Sequence, residues 1–101
     1  MADNIFEEGK VYEDDIGTEI ILDTEIDLTL ASSVSIKARK GLDGIEATWA
    51  GTKYLNNYVK HEIVVGEISA GRFYLQTYAE FAGGKHWRGE TFILPVYEKF
   101  K

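Results

Sequence analysis

The clearest alternation of apolar and polar positions lies between Gly71 and Phe81. Phe73, Leu75, Thr77, Ala79 and Phe81 fall on one face, and Tyr74, Gln76, Tyr78 and Glu80 on the other. A period of two marks a half-buried strand. Glu90 to Val96 repeats it, with Phe92, Leu94 and Val96 on one side. A loop containing Gly83-Gly84 joins the arms. The two runs predict a long antiparallel hairpin that supplies the largest core side chains.

The rest of the chain carries shorter runs. Asp14, Asp15 and Gly17 signal a turn. Thr18 to Leu22 then sets Ile20 and Leu22 against Ile21, and Ile26 and Leu28 point inward after a break at Asp23 to Glu25. Ser33 to Arg39 alternates Val34, Ile36 and Ala38 with Ser35, Lys37 and Arg39, giving one apolar and one solvated face. Gly41 to Gly44 reads as a tight turn. Ile45 to Trp49 returns with Ile45, Ala47 and Trp49 on one face. Gly51 and Asn56-Asn57 mark a break, and Tyr58 to Ile63 places Val59, His61 and Ile63 together. Val64 to Ser69 allows one helical turn that drops Val65 and Ile68 into the core.

No stretch sustains a helical period. About six or seven short strands with regular turn signals predict an all-β fold. The expected architecture is a single antiparallel two-sheet sandwich of immunoglobulin-like type, with at most one short helical turn. Pro95, near the end of the last strand, suits an edge or a bulge. Residues 1–13 read as an acidic N-terminal arm, 14–97 as the sandwich and 98–101 as a short C-terminal tail.

Composition narrows the function. At 101 residues the chain is one small domain. It has no cysteine, hence no disulfide framework and no thiolate metal site. That suits a reducing cytoplasm, where the chain is expected to be synthesised. A net charge of −6 opposes binding to phosphate backbones, so no nucleic-acid partner is expected. The N-terminus carries acids where a signal peptide needs basic residues and then an apolar run. No window approaches the apolar length of a membrane span, and no membrane partner is expected.

Catalytic signals are weak. Ser32, Ser33, Ser35 and Ser69 lie outside any nucleophile-elbow motif, and Gly66 to Gly71 has the wrong spacing for one. The paired acids, such as Asp14 with Asp15 and Asp23 with Glu25, sit at turns where Asp bonds local backbone. The Asp14 to Asp27 region lacks the calcium-loop motif. His61 and His86 lie on different elements without a spaced second ligand. His61 reads instead as an interior or edge side chain with a hydrogen bond. The expectation is a non-enzyme with no cofactor, no metal and no catalytic residues.

Two surface features stand out. Lys85-His86-Trp87-Arg88 gathers cations and an aromatic ring into a predicted loop tip on an acidic protein. Trp and Arg are favoured interface anchors. Trp87 also has the option of folding back over the end of the sandwich, or of stacking on a sugar or a base. On the interface reading, Trp87→Ala leaves folding nearly intact and weakens assembly. Tyr74 and Tyr78 sit side by side on the exposed face of the hairpin, with Ile93 opposite. Such rings cover an interface or serve ordinary cross-strand packing.

Several stretches resemble a known group. They are Asp15-Ile-Gly-Thr-Glu-Ile-Ile-Leu-Asp23, Ile26-Asp-Leu28 and Ala31-Ser-Ser-Val-Ser-Ile-Lys37, then Ala70-Gly-Arg-Phe-Tyr-Leu-Gln-Thr-Tyr-Ala-Glu-Phe81 and Arg88-Gly-Glu-Thr91. Together they look like small phage and prophage proteins, and are similar to the N-terminal immunoglobulin-like domain of the phage baseplate upper protein. The resemblance spans residues 15–97 and lies in hydrophobic spacing and turns. It implies a structural role in the virion, of tail or baseplate type, through contacts with other phage structural proteins. It carries no catalytic residues. Longer members continue into stalk or receptor-attachment regions, so a free-standing domain is expected to be an adaptor, a decoration subunit or an accessory protein. The alternative is a carbohydrate-binding or surface-adhesion module, which needs exposed aromatics aligned as a platform. Sheet edges that close a ring of subunits make a homo-oligomer a geometric option.

Overall fold

The structure is a computed structural model and describes residues 11–13, 15–42 and 44–98. Among these, eight strands form two sheets. They are β1 (Val11–Tyr12), β2 (Glu19–Asp23), β3 (Ala31–Lys40), β4 (Ala47–Ala50), β5 (Thr52–Tyr54), β6 (Tyr58–Glu62), β7 (Gly71–Phe81) and β8 (His86–Tyr97). The larger sheet has the order β1-β8-β7-β3-β4 and curls into a half-barrel. The smaller has the order β2-β6-β5. A 3-10 turn at Ala82–Gly84 closes the β7–β8 hairpin.

The alternation read along β7 sets its burial. Phe73, Leu75, Thr77 and Ala79 are buried, and the residues between them are not. Strand β7 lies between β3 and β8, with Ile36 opposite Thr77 and Phe73 opposite Leu94. Ile20, Leu22, Val59 and Ile63 of the smaller sheet and its flank join the same buried cluster. Both sheets therefore close over one core, which removes apolar surface from water on both inner faces.

The sheets are linked covalently at Gly51. Strand β4 pairs with β3 in the larger sheet, and β5, beginning one residue later, pairs with β6 in the smaller. One continuous run thus changes sheets across a single glycine, as at the corners of packed sheets. A Cβ at Gly51 would lie 2.8 Å from Val59 Cγ1 and 2.9 Å from Ser35 Cα. Beside it, His61 ties the corner down. Its Nδ1 donates to the Ala50 carbonyl at 2.7 Å, and its Nε2 lies 2.7 Å from Glu67 Oε1. A carbonyl only accepts, so Nδ1 is the donor in that bond. The His61 ring stacks on Trp49 with centroids 5.0 Å apart. His61 is the interior, hydrogen-bonded side chain that the sequence predicts.

Several expectations are corrected. Val11–Tyr12, read as part of the acidic arm, forms β1 and pairs parallel to β8, so the larger sheet is not purely antiparallel. Val11 earns this place by burial beside Val96. The remainder of the arm, residues 1–10, lies outside the described residues, as do Asp14, Asp43 and the tail beyond Glu98. Thr52–Tyr54, read as part of a break, is β5. Ile45 does not face the core with Trp49 and is 93% exposed. Strand β4 is the outer strand of its sheet, and Trp49 is its only buried residue.

Val64 to Ser69 forms turns, not a helical turn, and Val65 stays in solvent. Glu67 accounts for this, because its carboxylate accepts from the Val64 N–H at 3.0 Å and reaches His61. Polar anchoring holds the loop with its valines outward. Ile68 alone packs against the core from this segment.

Candidate interaction surface

The outer face of β3, β7 and β8 gathers charged and aromatic side chains into one array. Tyr78 lies opposite Ser35 on β3 and Arg88 on β8. Lys37 Nζ lies 4.6 Å from the Tyr78 ring centroid and donates to Thr48 Oγ1 at 2.9 Å. Arg88 Cζ lies 5.6 Å from the same centroid, and His86 stacks on the ring at 5.9 Å. Cations over a ring face are attracted by its quadrupole. The phenol donates to Glu80 Oε2 at 3.2 Å. Loss of solvent around the ring, and then the Glu80 bond, raise the Tyr78 pKa above the ordinary phenol value.

Arg88 is fixed in a second plane. Its Nη1 and Nη2 donate to Glu46 Oε1 and Oε2, each at 3.2 Å, and Nη1 also donates to Gln76 Oε1. The Gln76 amide donates in turn to the Gly89 carbonyl at 3.1 Å. This paired geometry suits a planar guanidinium. The Arg88 bond holds the Glu46 carboxyl below the usual glutamate range, and Lys37 and Arg39 add to the effect. A depressed carboxyl pKa keeps the pair ionised above it and releases the pair as pH falls through it. Carboxyl NMR titration of Glu46 is therefore expected to show a midpoint below the ordinary value. Arg88→Ala should move that midpoint upward, and an unchanged midpoint would show that the pair does not form in solution.

The candidate residues divide between this array and other places. Tyr78, His86 and Arg88 belong to it. Tyr74 lies further along the same face, between Arg39 and Ile93, and lines a groove of about 260 Å³ with Lys37, Leu42 and Gln76. Lys85 sits at the foot of the hairpin turn, where its carbonyl accepts from the Phe81 N–H at 2.7 Å. Trp87 turns the other way, is half-buried and packs against the core.

The predicted loop tip is therefore largely strand, because β8 begins at His86. Its two faces separate Trp87 from His86 and Arg88. The half-burial of Trp87 favours the reading in which it folds back over the sandwich, and on that reading its removal costs stability. Trp87→Ala is expected to cost about 2 kcal/mol, part of the loss for a fully buried ring. Urea unfolding measures it, and a change under about 0.5 kcal/mol would return Trp87 to the surface.

A bulge sets this arrangement. Gln76 pairs with Thr91 but Tyr78 pairs with Arg88, so Gly89 and Glu90 together oppose Thr77. Only glycine fits at 89, where a Cβ would collide with Thr77 Oγ1 and lie 2.9 Å from the Trp87 ring. The extra residue shifts the alternation, so Trp87 joins the inner face that Phe92 and Leu94 occupy beyond it. Lys37, Glu46 and Gln76 were not singled out from sequence. Lys37 was visible as a solvated strand position, but its place beside Tyr78 depends on strand register.

Among the described residues, no group of three or more His, Asp or Glu side chains converges as a metal site. No helix among them is long and apolar enough to cross a membrane. Comparison with protein-family models, with curated proteins and with solved structures returned no match for this chain.

Proposed function

We propose that this protein is a non-enzymatic structural or adaptor component of a phage or prophage particle, of tail or baseplate type, acting through protein contacts. The observation that carries the reading is the Lys37–Tyr78–Arg88–His86 array. Its side chains are held by strand pairing and mutual contacts on the open face of a sheet. A surface ordered before binding loses little side-chain freedom on contact. Arg and Tyr are also enriched among the residues that dominate interface energies. The stretches quoted above for their likeness to the baseplate domain supply the particle context.

The finer fold reading belongs to the same proposal. What supports an immunoglobulin-like sandwich is the order β8-β7-β3-β4 beside β2-β6-β5, which on that reading would be its G-F-C-C′ and B-E-D strands. On that reading β1 is the first strand, moved to the edge beside the last. The carbohydrate-module alternative needs an open aromatic platform. Tyr78 instead has Lys37, Arg88 and His86 packed about its ring.

The test is assembly. Lys37→Glu combined with Arg88→Ala should reduce the yield of complete particles about tenfold, the equivalent of roughly 1.4 kcal/mol of lost contact. The variant should melt near the parent temperature, because both side chains lie on the outer face. Full particle yield from a folded variant would remove this face from the proposal.

A further inference from the structure

The groove beside Tyr74 lies on the same outer face as the array and shares Lys37 and Gln76 with it. Strand pairing puts Lys37 opposite Gln76, Arg39 opposite Tyr74, and Thr91 opposite Gln76 on the far side. Lys37 and Arg39 are two residues apart on β3, so both side chains leave the strand on one face, with roots about 7 Å apart. Leu42, in the turn after β3, also lines the groove and is 70% exposed. The volume of about 260 Å³ falls below the roughly 300–1,000 Å³ of small-molecule sites. A groove of that size suits one or two side chains of another protein.

The donors in this groove are not all used. An ammonium carries three N–H donors and a guanidinium five. Lys37 gives one to Thr48 Oγ1 and is held in place over the Tyr78 ring. Arg39 makes no hydrogen bond or ion pair among the described residues. The one acid in the lining, Glu46, is taken by Arg88 through both carboxylate oxygens. The charges of Lys37 and Arg39 are therefore in excess. A carboxylate meets them best, being small, planar and acceptor-only when ionised. An extended polyanion fits less well. It would run past Glu46 and past Glu80, which bonds Tyr78 on the same face, and the chain's net charge of −6 would repel it.

Taking the outer face as the particle contact, on which this step rests, we infer that the groove receives an acidic side chain of a partner protein. Its carboxylate sits between Lys37 and Arg39, and an apolar side chain next to it in the partner packs against Leu42 and Tyr74. The array then supplies an ordered surface, and the groove supplies the choice of partner through its charge.

An amide NMR titration of the full chain tests this, with the capped peptide Ser-Glu-Leu-Ser as the probe. Shifts are expected at Lys37, Arg39, Leu42 and Tyr74, and added salt should weaken the binding. Replacing the peptide's Glu by Gln, or Arg39→Gln in the protein, should each raise the dissociation constant about tenfold. Lys60→Gln, on the smaller sheet, should leave it unchanged. The amide spectrum itself shows that each variant folds. No shifts in the groove, equal binding of the Gln peptide, or an Arg39→Gln protein that binds as the parent does would overturn the inference. So would tighter binding of a phosphoserine peptide or a single-stranded oligonucleotide, which would give the groove to phosphate. The same shifts on raising the protein concentration alone would give it to a second copy, and would also overturn it. Mass spectrometry of particles reads the particle role separately. A chain present in particles whose groove ignores the peptide refutes the groove alone, and a chain that binds the peptide but is absent from particles refutes the particle role alone.

Discussion

Gly51→Ala is expected to cost about 3 kcal/mol of folding stability, at the upper end of the overpacking range. The reason lies in what surrounds the missing side chain. The Val34 carbonyl, the Ser35 Cα and the Val59 methyl lie 2.8 to 3.0 Å from where the new carbon would sit. Two of these are backbone atoms of β3, and β3 is held between β4 and β7. They cannot retreat without loosening both pairings. The domain's whole stability is about 5–15 kcal/mol, so the loss is a large fraction. Urea denaturation should show a much lower midpoint with an unchanged slope. A cost under about 0.5 kcal/mol would mean that the chain does not change sheets at this residue.

Trp49→Ala should cost about 4 kcal/mol, within the usual range for emptying a buried tryptophan site. Trp49 is 3% exposed and belongs to the larger sheet, yet its ring stacks on His61 of the smaller. It also meets Phe73 at 6.0 Å. Removing it leaves a cavity between the sheets and opens the His61–Glu67 pair to water. Trp49→Phe should recover part of the loss by filling part of the volume. Tryptophan emission gives a second readout, since Trp87 is the only other tryptophan and is half-buried. The loss of Trp49 should leave a spectrum shifted to the red. Stability within about 1 kcal/mol of the parent would show that Trp49 does not bridge the sheets.

Both predictions depend on a corner that the sequence half reveals. The alternation along Gly71 to Phe81 was enough to find β7 and its buried face, because five apolar or small positions repeat without interruption. Strand β6 was legible for the same reason, through Val59, His61 and Ile63. Strands β1 and β5 were not. They have two and three residues, too few for a period to show. Gly51 read as a break because glycine marks turns more often than sheet crossings.

The candidate surface was legible in part. Tyr78, His86 and Arg88 were found as residue types, but their grouping rests on pairing between distant strands. The bulge opposite Thr77 bears on the choice between the two readings of Trp87. Counting back from Phe92 in steps of two puts His86 and Arg88 on the inner face, and the additional residue at Gly89–Glu90 reverses that. A register change of one residue moves every side chain beyond it to the other face. Glu46 was hidden for a related reason: its link to Arg88 joins two residues 42 positions apart.

The most direct test of the proposed role is mass spectrometry of particles purified from an induced source culture. The account predicts this chain in intact particles at a fixed copy ratio to tail or baseplate proteins. Its absence from intact particles, with the protein abundant in the lysate, would contradict a place in the virion.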